Sequence, residues 1–148
     1  MSNIKIISQY IRNLSINIPE APQVFLRVND KPNINVAIDI DAKKISEENF
    51  EIILKISANA TSKQDQLFNL ELIYAGIFSL QKMEGEMLEQ VLLIYCPNLL
   101  FPFMRRIISN ATADAGFAPL MLDPIDFAAL YNRRKAAQNA TPISDLKN

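Results

Sequence analysis

The chain has 148 residues, with 15 Lys and Arg against 16 Asp and Glu, a formal net charge of -1 and no histidine. This length suits one domain with a substantial core, and 49% apolar and 8% aromatic residues indicate a globular fold rather than a disordered chain. A charge near zero lacks the basic footprint that binding to nucleic acid needs, and the missing histidines remove the commonest metal ligand and the usual titrating group near neutral pH.

Cys96 is the one cysteine, so there is no internal disulfide, no cysteine-rich zinc site and no Cys–His nucleophile pair. Gly76, Gly85 and Gly116 are too dispersed for a phosphate-cradling loop. The opening MSNIKIISQYIRN has no continuous apolar stretch with a cleavage site and is not read as a signal peptide. The apolar run from Val91 to Met104 is shorter than the ~20 residues of a spanning helix and is interrupted by Pro97 and Pro102. The expectation is a soluble, cytoplasmic protein.

Ile4 to Ile18 alternates loosely, with Tyr10, Leu14, Ile16 and Ile18 against Gln9, Asn13, Ser15 and Asn17. PEAP (Pro19–Pro22) and NDKP (Asn29–Pro32) then bracket a short segment that cannot continue a central strand. In NINVAIDID, Ile34, Val36, Ile38 and Ile40 face away from Asn33, Asn35, Ala37, Asp39 and Asp41, which is the pattern of a half-buried strand. Phe50 to Ala60 repeats that pattern, broken once on its polar face by Ile53. Gln66 to Leu80 sets Phe68, Leu70, Leu72, Tyr74, Phe78 and Leu80 against Asn69, Glu71, Ile73, Ala75 and Ile77. Short polar connections at 41–48 and 57–65 favour hairpins, and four strands in sequence order suggest an antiparallel meander covered on one face.

The period then changes. EMLEQVLLIY after Gly85 carries acids in its first turn, as a helix N-terminus prefers. Leu100, Met104, Ile107, Ile108 and Ala111 follow at helical spacing, with Arg105, Arg106 and Asn110 turned away. Pro97 and Pro102 must kink or restart this helix, and Gly116 suits its stop. Asp123–Pro124 reads as the cap and first turn of a last helix with Phe127, Leu130 and Tyr131 on its apolar face. The basic cluster Arg133–Arg134–Lys135 closes that helix, and AAQNATPISDLKN forms a polar tail. Strands first and helices after give an α+β fold: a four-stranded antiparallel sheet followed by a kinked long helix and a C-terminal helix packed on one face. Residues 1–135 form the single domain and 136–148 a flexible tail.

No catalytic constellation emerges. Glu47 and Glu48 sit in a turn and Glu84, Glu86 and Glu89 at a helix start, both ordinary places for solvated acids. Cys96 in its apolar run reads as a small buried hydrophobe. Two features exceed what a small core needs. One is Ile73, Ala75 and Ile77 on a solvent face; the other is the run of Leu92, Leu93, Ile94, Tyr95, Leu99, Leu100, Phe101, Phe103 and Met104. This surplus fits either an apolar surface for self-association or binding, or a thick core under one sheet.

GIFSL (Gly76–Leu80), MEGEM (Met83–Met87), YCPNLLFPFMRR (Tyr95–Arg106) and LDPIDFAALY (Leu122–Tyr131) resemble the SecB family of bacterial protein-export chaperones, in register from Gln9 to about Arg134. The resemblance implies a non-enzymatic, ATP-independent chaperone without cofactors or metal. It implies a homotetramer, a dimer of dimers, that holds unfolded precursor proteins and passes them to the motor ATPase SecA, with no nucleic acid and no membrane insertion. Edge strands would extend each sheet across a dimer, and the long helices would lie between sheets. The implied precursor groove comprises Ile34, Val36, Ile38, Phe117, Leu120, Leu122, Phe127, Leu130 and Tyr131. The implied SecA-binding face comprises Asn13, Asn17, Asn69 and Glu71. Only Glu71 among these is acidic, where the family more often carries several acids, and Asp30 stands where an aromatic is common. The alternative is a small-molecule-binding or enzymatic α+β domain using the cleft between sheet and helix.

Overall fold

The computed structural model describes residues 3–27, 31–63 and 65–140. Its strands are β1 (Asn3–Asn17), β2 (Asn33–Lys44), β3 (Asn49–Ser62) and β4 (Asp65–Gln81). Asp30 lies outside the described residues.

The sheet is fully antiparallel, but its order is β1-β4-β3-β2. Only β2, β3 and β4 form the meander that their short connections imply. β1 returns beside β4, which makes the sheet a Greek key. The long connection from β1 to β2 carries the chain from one sheet edge to the other. Part of it is a 3-10 helix, Gln23–Leu26, and Glu20 anchors it to the start of β4. Its carboxylate pairs with Arg27 at 2.7 Å and accepts the Gln66 N–H at 2.9 Å. These bonds hold the Glu20 carboxyl below its ordinary pKa, the Gln66 backbone bond contributing most and Arg27 next.

Two β-bulges in β1, between Ile6 and Ser8 and between Ile11 and Asn13, account for its loose alternation. Each bulge swaps the faces. Tyr10 therefore lies opposite Ala75 on the outer face, whereas Leu14 and Ile16 lie opposite Leu72 and Leu70 on the helix side. Grouping Tyr10 with Leu14 and Ile16 is thus corrected by register. The Tyr10 hydroxyl donates to the Glu51 carboxylate, and burial, then that bond, push its pKa up to about 12.

The helical half is α1 (Gly85–Gln90), a π-helical segment (Val91–Tyr95) and α2 (Cys96–Asp114), joined end to end over 30 residues. The irregularity falls just before Pro97, whose missing N–H and ring cannot be accommodated in an unbroken α ladder. By length and composition this helix is long and apolar enough to cross a membrane, unlike the interrupted run read from the sequence. One face of it is core: Leu92, Cys96, Leu100, Met104 and Ile108 are buried with Leu54, Ile56, Leu72 and Phe78 of the sheet. Gly76 permits the close approach, since a Cβ there would meet Leu100 Cδ2 at 2.9 Å. Gly116 ends the helix at φ +99°, with Phe117 N–H donating to the Thr112 carbonyl at 3.1 Å.

α3 spans Phe127–Ala140. It starts later than Asp123–Pro124, because Asp126 is the residue whose carboxylate accepts the Ala129 N–H, at 2.9 Å. It also runs past Lys135, so Arg133–Arg134–Lys135 lies within the helix rather than at its end.

Candidate functional site

Ile34, Val36, Ile38 and Ile40 lie opposite Ala60, Ala58, Ile56 and Leu54, all on the helix side of the sheet. Their burial is graded. Ile40 is 6% exposed and Ile38 half-buried, while Val36 and Ile34 are 45% and 37% exposed. The gradient follows position: among the described residues no strand lies beyond β2, and Arg134 of α3 reaches that strand at Ile40.

The segment after α2 is less open than an apolar groove wall needs. Leu122, Phe127 and Tyr131 are buried, and Phe117, Leu120 and Leu130 are half-buried. Phe127 meets Phe101 edge-on at 6.0 Å, tying α3 to α2. Thr112, fully buried, pins the connecting segment: its hydroxyl accepts the Leu120 N–H at 2.8 Å and donates to the Ile108 carbonyl at 2.9 Å. Phe117 stacks between Phe25 and Phe68 with centroids 5.1 and 5.2 Å apart. Phe25 and Leu26, 45% and 85% exposed, form an apolar lip that sequence reading missed. Its signal was present, two large apolar residues between proline-rich punctuators, but no period marks so short a segment.

α3 is fastened at its surface side by Glu89. The Tyr131 ring is buried while its hydroxyl reaches the surface and donates to Glu89 at 2.7 Å; Lys135 approaches the same carboxylate at 3.1 Å. Both hold the Glu89 carboxyl below its ordinary pKa, the Tyr131 bond most.

The outer face carries a band of polar residues beside apolar ones. Asn17 pairs with Asn69, Asn69 with Asn59 and Asn59 with Asn35, which makes one row of asparagines across all four strands. Glu71 lies in the next row, opposite Ser15 and Ser57, and Asn13 lies beyond it opposite Ile73. All four residues expected on a docking face therefore share it. Glu71 is partly neutralised by Lys55 at 3.7 Å, as Glu51 is by Arg12 at 3.7 Å. Asp39 and Asp41, two further acids of this face, are exposed on the β2 side of a recess of about 360 Å³ that also includes Arg12, Asn13, Ile53, Lys55 and Ile73. Ile73 and Ile77 are half-buried and Ala75 fully buried, with Tyr10 beside Ala75 in the register.

Cys96 is buried, and desolvation pushes its thiol up to about 12. The space between sheet and long helix that a small-molecule cleft would need is filled by Leu54, Phe78, Leu100 and Met104. Among the described residues no group of three or more His, Cys, Asp or Glu side chains is placed to hold a metal.

The family model for SecB, preprotein translocase subunit, matches residues 1–138. The chain belongs to the SecB family. A Protein-export protein SecB of Parvibaculum lavamentivorans is 46% identical over 131 residues, 88% of this chain and 78% of that protein. One of Rickettsia akari is 44% identical over 135 residues, 90% of this chain and 89% of its own. Among solved structures, a SecB-like chaperone of Mycobacterium tuberculosis in complex with a ChAD peptide from an antitoxin has a TM-score of 0.69 at 13% identity, covering 82% of this chain and 90% of that one. The last likeness is one of fold. SecB is a family of protein-export chaperones rather than enzymes.

Proposed function

We propose that the chain is an ATP-independent, cofactor-free export chaperone of the cytoplasm, which keeps unfolded precursor proteins translocation-competent and delivers them to SecA as a homotetramer. The observation that carries this reading is the β2 edge, where Ile34 and Val36 stand exposed beside backbone that no described strand pairs. Apolar burial is non-directional, at about 25 cal/mol per Å², and edge hydrogen bonds hold a chain without reading its side chains. Together they bind many sequences, which suits a holding chaperone.

The groove in this reading centres on Ile34, Val36 and Ile38. Phe117, Leu120 and Leu130 form its flank, with Leu122, Phe127 and Tyr131 as the core that positions the flank. The SecA face is the outer sheet surface with Asn13, Asn17, Asn69 and Glu71, and residues 136–148 offer a second contact. Its asparagine row gives hydrogen bonding without charge, so docking here depends less on salt than on an acid-rich face.

The test is the refolding of a slow-folding, signal-bearing precursor. A stoichiometric amount of the protein should slow its refolding, and an unchanged refolding rate overturns the reading.

A further inference from the structure

The Ile45 N–H donates to the Asn49 carbonyl at 2.8 Å, and this sets the phase of the β2–β3 ladder. In an antiparallel pair, hydrogen-bonded and non-bonded positions alternate. Odd-numbered residues of β2 therefore exchange bonds with β3. Ile34, Val36, Ile38, Ile40 and Ala42 turn their N–H and C=O groups to the free edge.

That edge is treated differently along its length. Asp39 Oδ1 accepts the Ile40 N–H at 3.0 Å, and Asp41 Oδ1 accepts the Ala42 N–H at 2.9 Å. Arg134, reaching from α3, donates to the Ile40 carbonyl at 3.3 Å. Among the described residues the outward N–H groups of Ile34, Val36 and Ile38 have no such side-chain partner. The side chain two places before the capping pair is Ala37, which has no oxygen to offer, and Asn35 is not so bonded. A device guarding the edge against any pairing would be needed along all of it; here it occupies one end only.

We propose that Asp39, Asp41 and Arg134 form a register stop, confining strand addition to the Ile34–Ile38 half of the β2 edge. This rests on the groove reading above and adds a limit to it. An incoming extended polypeptide pairs over five positions, about 17 Å at ~3.4 Å per residue, and must leave the edge before Ile40. A short register keeps each engagement weak and readily released, and leaves affinity to the number of engagements rather than their length.

The experiment measures amide exchange at single residues of the full chain, with and without reduced, alkylated and permanently unfolded lysozyme as the bound chain. In the wild type, exchange at Ile34, Val36 and Ile38 should slow about two- to tenfold, the effect of one added hydrogen bond, with Ile40 and Ala42 unchanged. In Asp39→Ala/Asp41→Ala the slowing should extend to Ile40 and Ala42, and in Asp39→Asn/Asp41→Asn, which keeps an acceptor at each place, it should not. Slowing at Ile40 and Ala42 in the wild type, or no extension in the alanine pair, overturns the stop. So does an asparagine pair that behaves like the alanine pair. No slowing at Ile34, Val36 and Ile38 in the wild type instead overturns the groove reading itself.

Discussion

Val36 and Phe127 are both large apolar residues of the sequence-derived groove, and their surroundings divide their roles. Phe127 is 1% exposed and packed on Phe101. Phe127→Ala leaves a cavity and should cost about 3–5 kcal/mol, measured by chemical denaturation. Val36 is 45% exposed on an edge strand, so Val36→Asp should change stability by no more than about 0.5 kcal/mol while abolishing the slowing of precursor refolding. A stability loss at Val36 as large as that at Phe127 would place it in the core instead. Glu71 permits a similar separation on the outer face. It already shares its charge with Lys55 at 3.7 Å, and exposed pairs contribute little, so Glu71→Lys should weaken SecA binding by no more than about fivefold and flatten its dependence on salt. An isotherm indistinguishable from wild type would move docking off this position.

At the scale of elements, α3 depends on two attachments, Phe127 in the core and the Glu89 cluster at the surface. The cluster has a pH window set by its groups. The Glu89 carboxyl is held below its ordinary 4.5, so its contribution is full above that value and lost as pH falls through the lowered one. Tyr131 and Lys135 are raised from 10.0 and 10.5, chiefly by their bonds to Glu89, so their contribution is full below those values and lost as pH rises through the raised ones. Tyr131→Phe keeps the ring and removes the hydroxyl. It should speed amide exchange across residues 127–138 at neutral pH, and the difference should shrink as Glu89 is protonated; a difference constant with pH would mean the ring, not the hydroxyl, holds the helix. Element by element, the chain shows how much a sequence states. β2, β3 and β4 were legible because alternation is local and polar turns fix their order. β1 was legible as a strand but not in its facing or its place, because each bulge resets a period of two and its pairing with β4 is non-local. The start of α3 was misplaced because Asp123–Pro124 has the ordinary pattern of cap and first turn, and only the fold shows that Asp126 is the carboxylate that meets an N–H. The groove set was legible as apolar but not as open, since the exposure of Ile34 and Val36 comes from β2 being an edge.

At the scale of the molecule, two groups of large apolar residues lie exposed. On the β1 edge Ile6, Ile7, Ile11 and Leu14 are 40–53% exposed, and on the long helix Met87, Tyr95 and Phe103 are 59%, 47% and 41% exposed. β1 is also the second edge of the sheet, with no strand beyond it among the described residues. An exposed edge with an apolar row invites a partner strand, and an apolar helix stripe invites a partner helix or sheet. In the tetramer proposed above, a second copy would pair with the β1 edge through closed symmetry, and two such dimers would meet through the helices. Light scattering should therefore give four times the 16.7 kDa of one chain. Ile11→Lys with Leu14→Lys, which places cations on the β1 edge without touching the buried core, should lower that mass and make the melting temperature fall on dilution. A wild-type mass of one chain, or a double variant that keeps the wild-type mass at all concentrations, would remove β1 from the interface. The β2 edge predicts the opposite behaviour: Val36→Asp should leave the mass unchanged, because in this arrangement that edge is reserved for the client.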